Sequence, residues 1–159
     1  MPDPSPLAFR EHDHSRCRHR TAGAVAAACA ERGLRLTELR RRVLEILLED
    51  HRAMGAYDVL ARLAEAGHAA HPPVAYRALD FLVEHGFAHK IQRLNAFVAC
   101  PTPSDGHRPA FLICRDCRSV AEASVPAGDG VLGREAARIG FRIEAVSIEA
   151  EGLCPACAA

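Results

Sequence analysis

Two short cysteine motifs constrain this chain more than any other feature. Cys114-Arg-Asp-Cys117 and Cys154-Pro-Ala-Cys157 are separated by thirty-six residues. A C-x-x-C turn directs two sulfurs at one point, and two such turns supply the four thiolates of a tetrahedral zinc site. We therefore expect a closed structural zinc site that fixes the end of the chain to an earlier strand of the same domain.

Two other interpretations of these motifs are a redox-active cysteine pair and two disulfides. A redox motif needs only one pair, and the cysteines number seven, which is odd. The sequence has no run of eighteen uncharged apolar residues and no apolar signal core near its start. We therefore expect a cytoplasmic protein that makes no membrane contact. Disulfides are disfavoured in that reducing compartment.

Charge is unevenly spread along the chain, although the formal net charge is zero. Residues 10–42 carry nine Arg and four acidic residues, whereas residues 101–159 carry six Arg and eight acidic residues. A basic front half is consistent with contact to a polyanion such as nucleic acid. A charge run is more often a solvated face, so the charge pattern alone is weak evidence for a nucleic-acid partner.

Hydrophobic periodicity divides the front half into helices followed by a small hairpin. Apolar residues recur at helical spacing in four segments, with Thr37 as an N-cap and glycines as stops. The predicted helices are 21–31, 37–49, 56–66 and the segment from Pro72 to just before Gly86. Two strand-like runs, 87–93 and 96–100, follow and are divided by Asn95 as a turn residue. This order predicts a winged helix.

The rear half shows a different pattern. Its predicted elements are strands near 110–114 and 119–125, a helix near 129–139 and a strand near 141–149. The whole is therefore predicted to be an α+β protein. We place an N-terminal winged-helix domain at 18–100, a hinge at 101–109 and a small C-terminal α/β domain at 110–159. Residues 1–17, which are rich in Pro, His and charge, are predicted to be a mobile arm.

Histidines and cysteines of the arm raise the question of a further metal site. His12, His14, Cys17 and His19 could bind a metal, but an exposed mobile tract is the favoured interpretation of this segment. Cys29 differs from them because it lies on the apolar stripe of the first predicted helix. It is therefore predicted to be a buried core thiol.

A second candidate metal set lies near the predicted domain boundary. His89, Cys100, His107 and Glu122 offer the imidazole, thiolate and carboxylate ligands that zinc accepts. Composition alone does not single out these two histidines among the nine in the sequence.

Several ordered motifs resemble those of a known family. They are A-Y-D-V-L at 56–60, Y-R-A-L-D-F-L at 76–82, H-G-F-A-H-K at 85–90, F-L-I-C-R-D-C at 111–117 and C-P-A-C at 154–157. The chain resembles the ferric uptake regulator superfamily, and within it the zinc uptake regulator branch. The resemblance runs from about residue 20 to the C-terminus.

This resemblance implies a zinc-dependent repressor of zinc uptake genes. It implies a homodimer whose winged helices bind a palindromic operator in double-stranded DNA and whose C-terminal domains pair. It also implies two Zn²⁺ per chain. The four cysteines would hold the structural ion, and His89, Cys100, His107 and Glu122 would hold a regulatory ion between the domains. Zinc binding and DNA binding would then strengthen each other.

An iron or manganese sensor of the same superfamily is the alternative. Iron and peroxide sensors typically resemble one another in an H-H-x-H stretch before the first C-x-x-C, whereas this chain has only His107 there. The loss of imidazoles, together with the thiolate of Cys100, favours zinc.

The resemblance also implies where DNA would be bound. Arg77, on the fourth helix, would donate to a guanine edge in the major groove, and Tyr57 would reach a base or a phosphate. Arg35, Thr37 and Tyr76 would contact the DNA backbone. A solvated role for Arg77, and core packing for the two tyrosines, remain open from the residues alone.

Two functions from other classes are weighed against the repressor. A zinc deaminase needs H-x-E before its P-C-x-x-C motif, and no H-x-E occurs in the sequence. We therefore expect no enzymatic activity and no small-molecule substrate other than the metal ion. A zinc-stabilised module that binds a protein and no nucleic acid is left open.

Overall fold

The computed structural model describes residues 7–10, 12–68, 71–103, 109–124 and 130–159. A short 3₁₀ helix, Leu7–Phe9, precedes the α-helices and strands. The α-helices are α1 His14–Glu31, α2 Glu38–Leu47, α3 Ala56–Glu65, α4 Pro72–Glu84, α5 Val131–Arg138 and α6 Pro155–Ala158. The strands are β1 Ala88–Ile91, β2 Ala96–Ala99, β3 Pro109–Cys114, β4 Val120–Ser124 and β5 Ile148–Gly152. No helix in the described ranges is both long and apolar enough to cross a membrane.

The first four helices bury their apolar stripes against one another. The hydroxyl of Thr37 caps α2 by accepting the backbone N–H of Arg40 at 3.3 Å, as the sequence predicted. Val43 and Leu47 of α2 pack with Val59 of α3 in one core cluster, which also contains residues of α1 and α4. Because α1 buries only one stripe, its opposite face remains available to solvent.

A two-stranded antiparallel hairpin, β1–β2, completes the winged helix. Ile91 pairs with Ala96 at its closed end. Asn95 has a φ of 46° in the intervening turn, a left-handed conformation that asparagine tolerates better than most residues. The predicted hairpin and its turn residue are therefore confirmed.

The rear half forms a three-stranded sheet in the order β4–β3–β5. β3 is antiparallel to β4 and parallel to β5, and the crossover between β3 and β5 contains α5. Cys114, the last residue of β3, pairs with Gly152, the last residue of β5. The parallel register therefore brings the second C-x-x-C motif alongside the first.

The hairpin and the three-stranded sheet meet across an apolar contact. Ile91 and Val98 of the hairpin pack with Phe111 and Val120 of the sheet. Two further polar connections join the front half of the chain to the sheet. The N–H of Val120 donates to the carbonyl of His51 at 2.8 Å. In the hairpin turn, the N–H groups of residues 92 and 93 donate to the carboxylate of Glu149 at 2.6 and 2.9 Å.

Two predicted boundaries are wrong. Helix α1 begins at His14 instead of Thr21, because the carboxylate of Asp13 caps it by accepting the N–H of Ser15 at 3.1 Å. Residues 14–17 therefore belong to a helix and not to an irregular arm, whereas residues 1–6 and 11 lie outside the described part of the chain.

The last strand is also displaced from its predicted position. β5 covers Ile148–Gly152, whereas residues 141–147 form no strand. The apolar side chain of Phe141, which contributed to the strand prediction, is 64% exposed. Phe141 therefore lies on the surface and does not occupy a core-facing position of a strand.

Candidate metal centres and DNA-binding surface

The four predicted cysteine ligands converge on one point. Cys114 ends β3, Cys117 lies in the turn that follows, Cys154 precedes α6 and Cys157 lies within it. Their sulfur atoms all lie within 4.8 Å of one another. Within each motif a tight turn brings the two sulfurs together: the N–H of Arg118 donates to the carbonyl of Cys114, and that of Cys157 to the carbonyl of Cys154.

Backbone and hydroxyl groups at this centre favour thiolates. The N–H of Cys154 donates to the sulfur of Cys114 at 3.4 Å. This bond, followed by that from the N–H of Cys117, lowers the pKa of Cys114 to about 6. The hydroxyl of Ser119 lies 3.3 Å from the sulfur of Cys117 and lowers its pKa. Hydrogen bonding to Cys154 raises the pKa of Cys157, because four thiols in contact cannot all ionise in the absence of a cation.

The arrangement fits a structural zinc ion. The sulfurs of Cys117 and Cys154 are 3.8 Å apart, which matches the edge, about 3.8 Å, of a tetrahedron with zinc–sulfur bonds of about 2.3 Å. Four protein ligands complete the coordination shell and leave no position for a substrate. We therefore predict a structural role for this centre, in which a bound ion would join the C-terminus to the end of β3.

Three of the four predicted ligands of the second centre are also brought together. The ligand atoms of His89, Cys100 and Glu122 lie within 4.8 Å of one another, and His89 Nε2 is 3.2 Å from Glu122 Oε2. His89 lies on β1 and Cys100 directly after β2, whereas Glu122 lies on β4 of the other sheet. The fourth predicted ligand, His107, lies outside the described residues.

The pKa of the Cys100 thiol in this centre is shifted in the opposite direction to that of Cys114 in the four-cysteine centre. Cys100 is fully buried, and burial, followed by the charge of Glu122, raises the pKa of its thiol to about 12. The side chains of His89 and Glu122 are only 15% and 10% exposed. A divalent cation fits this buried thiol and carboxylate because it offsets the negative charge that burial otherwise penalises. Binding a cation here requires loss of the thiol proton.

A third group of metal-ligating side chains was only partly anticipated. His12, His14 and Cys17 lie together as the arm composition suggested, but their fourth neighbour is His51 and not His19. His19 instead bonds the carbonyl of Ser15 within α1, through Nδ1 at 2.9 Å. Burial, followed by the charges of His14 and His12, lowers the pKa of His51 to about 4. No signal in the sequence joins His51 to the arm, because the contact is made by tertiary packing.

The candidate DNA-contacting residues are all at or near the surface of the winged helix. Arg77 is exposed on α4, where Tyr76 is 40% exposed, and Tyr57 at the start of α3 is 74% exposed. Core packing of the two tyrosines is therefore excluded. Arg35 is exposed, and Thr37 is half-buried as the cap of α2. A role of these five residues in DNA contact stays a prediction.

Comparison with known proteins identifies the family. The model of the ferric uptake regulator family matches residues 31–151. The zinc uptake regulation protein of Escherichia coli (strain K12) is 42% identical over 134 residues, which cover 81% of this chain and 76% of that protein. The protein of the same description from Shigella flexneri matches to the same extent. The chain therefore belongs to the ferric uptake regulator family.

Solved structures add a comparison between conformations. A zinc uptake regulator complexed with zinc and DNA has a TM-score of 0.82 at 38% identity, covering 89% of this chain and 95% of that one. The holo form of XcZur has a TM-score of 0.78 at 41% identity, covering 92% and 99%. The apo form of XcZur, at 39% identity and with coverage of 91% and 99%, has a TM-score of only 0.53.

Proposed function

We propose that this protein is a zinc-dependent transcriptional repressor that binds palindromic operator DNA as a homodimer and controls zinc uptake genes. We place it in the cytoplasm. In this proposal residues 18–100 act as the DNA-binding unit, residues 110–159 as the dimerisation unit, and residues 101–109 as the hinge between them.

The observation that carries the proposal is the composition of the second centre. His89 and Cys100 come from the winged helix, whereas Glu122 comes from the three-stranded sheet. When bound, zinc supplies a positive centre that these side chains share. The three side chains then fix the angle between the hairpin and the sheet. In a dimer that angle sets the separation of the two α4 helices, and thereby the fit to two half-sites of DNA.

The comparison of conformations supports the same coupling. The arrangement of this chain is similar to the zinc-and-DNA complex and to the holo form, with TM-scores of 0.82 and 0.78, and less similar to the apo form, with 0.53. Sequence identity to holo and apo XcZur is nearly equal, at 41% and 39%, so sequence divergence does not explain the difference. The described orientation is consequently the one we assign to the DNA-binding state.

An exposed apolar surface on the rear half supports pairing with a second copy. The exposed side chains on and around α5 and β5 are Val131, Leu132, Ile139, Phe141, Ile148 and Leu153. Several are more than 60% exposed, which is costly for a monomer in water. We assign this surface to the dimer interface. It lies in the C-terminal half of the chain, whereas the basic segment lies in the N-terminal half.

A zinc titration of DNA binding tests the proposal. Zinc-loaded protein is first used to select duplexes from a random-sequence pool, and the enriched palindrome then serves as the probe in mobility-shift assays. We expect affinity for this probe to rise at least tenfold with zinc, and affinity for a scrambled duplex to change little. Affinity that is indifferent to zinc would contradict the sensor function, and selection of no duplex would favour a protein-binding module. A response to iron or manganese but not to zinc would reassign the metal.

A further inference from the structure

The group formed by His12, His14, Cys17 and His51 lies outside both centres assigned above. Its four ligand atoms all lie within 4.8 Å of one another. His12 directly precedes the N-cap of α1, His14 is the first residue of α1, and Cys17 is one turn further along, whereas His51 lies in the segment that connects α2 to α3. The group therefore joins two parts of the chain that are distant in sequence.

Two hydrogen bonds fix which nitrogens of the histidines carry protons. His12 Nδ1 lies 2.9 Å from the carbonyl oxygen of Arg10, and His14 Nε2 lies 2.8 Å from the carbonyl oxygen of Glu49. A carbonyl oxygen only accepts, so each of these nitrogens is a donor. In the neutral rings, His12 Nε2 and His14 Nδ1 therefore carry lone pairs. Zinc-ligating histidines commonly hold their second nitrogen in this way.

The remaining nitrogens lie close to one another. His12 Nε2 is 3.4 Å from His14 Nδ1 and 3.1 Å from His51 Nε2. The first pair consists of two acceptors, so no hydrogen bond joins them in the neutral tautomers. A cation between the rings would use the lone pairs of His12 Nε2 and His14 Nδ1 at once, together with that of His51 Nε2 in the tautomer of His51 that carries its proton on Nδ1.

The separations match those of a zinc site. Tetrahedral zinc with nitrogen ligands at about 2.0–2.1 Å has nitrogen–nitrogen edges of about 3.4 Å. Cys17, only 8% exposed, supplies a sulfur as the fourth ligand. Cys29 lies on the same buried stripe of α1 but is enclosed in the helical core. Cys17, in contrast, borders a cavity of about 250 Å³ that His51 also lines.

We propose that His12, His14, Cys17 and His51 form a third zinc site, which holds the first turn of α1 against the connection between α2 and α3. The position gives the site a structural consequence. The carbonyl of His51 accepts the N–H of Val120 on β4, and the 3₁₀ helix that precedes the site also packs against β4. Zinc bound here would order the N-terminal segment at the junction of the winged helix and the three-stranded sheet. The site shares no ligand with either of the other two centres.

Counting zinc ions in the full-length protein by native mass spectrometry tests this proposal. We expect three zinc ions per chain in the wild type and two in His51→Ala. His19→Ala is the matched control, because His19 is an exposed histidine of the same helix that bonds the carbonyl of Ser15 and is not a member of the group, and it should retain three. Saturation of the wild type at two ions, or three ions in His51→Ala, would overturn the site.

Hydrogen exchange provides a second readout that a folding defect does not imitate. Zinc should slow amide exchange in residues 14–20 of the wild type, and should fail to do so in His51→Gln whose circular dichroism matches the wild type. Equal slowing in both proteins would overturn the proposal. Cys100→Ser distinguishes failure of the third zinc site from failure of the proposed function. This variant should lose the zinc ion of the His89 centre, whereas zinc-dependent protection of residues 14–20 should persist.

Discussion

The four-cysteine centre and the His89 centre offer similar metal ligands, but in the proposed function they have different roles. The first gathers its ligands from two tight turns within one sheet, and its backbone donors already favour thiolates. The second gathers ligands from two sheets and buries a thiol whose pKa is raised to about 12. A site built within one unit stabilises that unit, whereas a site shared between two units fixes their relative orientation.

The largest expected effect is that of Cys114→Ser. The free energy of zinc binding at a structural site, roughly 10–16 kcal/mol in small zinc domains, contributes directly to folding. We expect loss of zinc, dissociation of the dimer and a large fall in melting temperature, measured by native mass spectrometry and circular dichroism. A stable, dimeric Cys114→Ser protein would remove the structural role from this centre.

Cys100→Ser should behave differently from Cys114→Ser. Serine occupies nearly the same space in the buried position but provides no thiolate, so the fold should persist while one zinc ion per chain is lost. Native mass spectrometry of the two variants side by side measures this contrast. Dissociation of Cys100→Ser to the same extent as Cys114→Ser would abolish the division of roles.

Arg77→Ala should separate DNA binding from metal binding. Loss of a bidentate contact to a base costs about 1–3 kcal/mol, which is about 5- to 150-fold in affinity. Fluorescence anisotropy with the selected palindrome should show this loss while the zinc content is unchanged. Arg138→Ala is the control, since it removes another exposed arginine, from α5 of the other half, and native mass spectrometry checks that both variants remain dimeric. Equal affinities of the two variants would exclude Arg77 from DNA readout.

The smallest expected effect concerns the polar connection between the hairpin turn and β5. Glu149→Ala removes the acceptor of two backbone N–H groups and should weaken the contact by about 1 kcal/mol. We expect a several-fold loss of zinc-dependent operator affinity. Glu144→Ala, which removes an exposed carboxylate outside this contact, should cause no loss. An unchanged affinity in Glu149→Ala would show that the metal centre alone fixes the orientation.

Sequence patterns predicted those features that depend on local spacing. The two C-x-x-C turns, the Thr37 cap and the Asn95 turn each involve residues within a few positions of one another, and all are present. The observed start of α1 at His14 is also predictable from local sequence, because Asp13 is a strong N-cap residue directly before the helix.

Features that depend on long-range contacts could not be predicted from local sequence patterns alone. Cys100 and Glu122 were identified as partners of His89 through resemblance to a family, since their proximity requires one sheet to pack on the other. His51 was missed altogether, because it lies more than thirty residues from the arm and joins it only through the packing of α1. Periodicity alone also placed the last strand too early, because an apolar surface segment and a buried strand resemble each other in sequence.

Operator affinity of Cys100→Ser in saturating zinc is the most direct test of the central claim, which is that the centre spanning the two sheets controls DNA binding. Wild-type protein and Cys100→Ser, each with its four-cysteine centre filled, are titrated with the selected palindrome with and without additional zinc. We predict that zinc strengthens binding by the wild type at least tenfold and leaves Cys100→Ser at the weak affinity of the zinc-depleted wild type. An equal zinc-dependent gain in both proteins would contradict the claim.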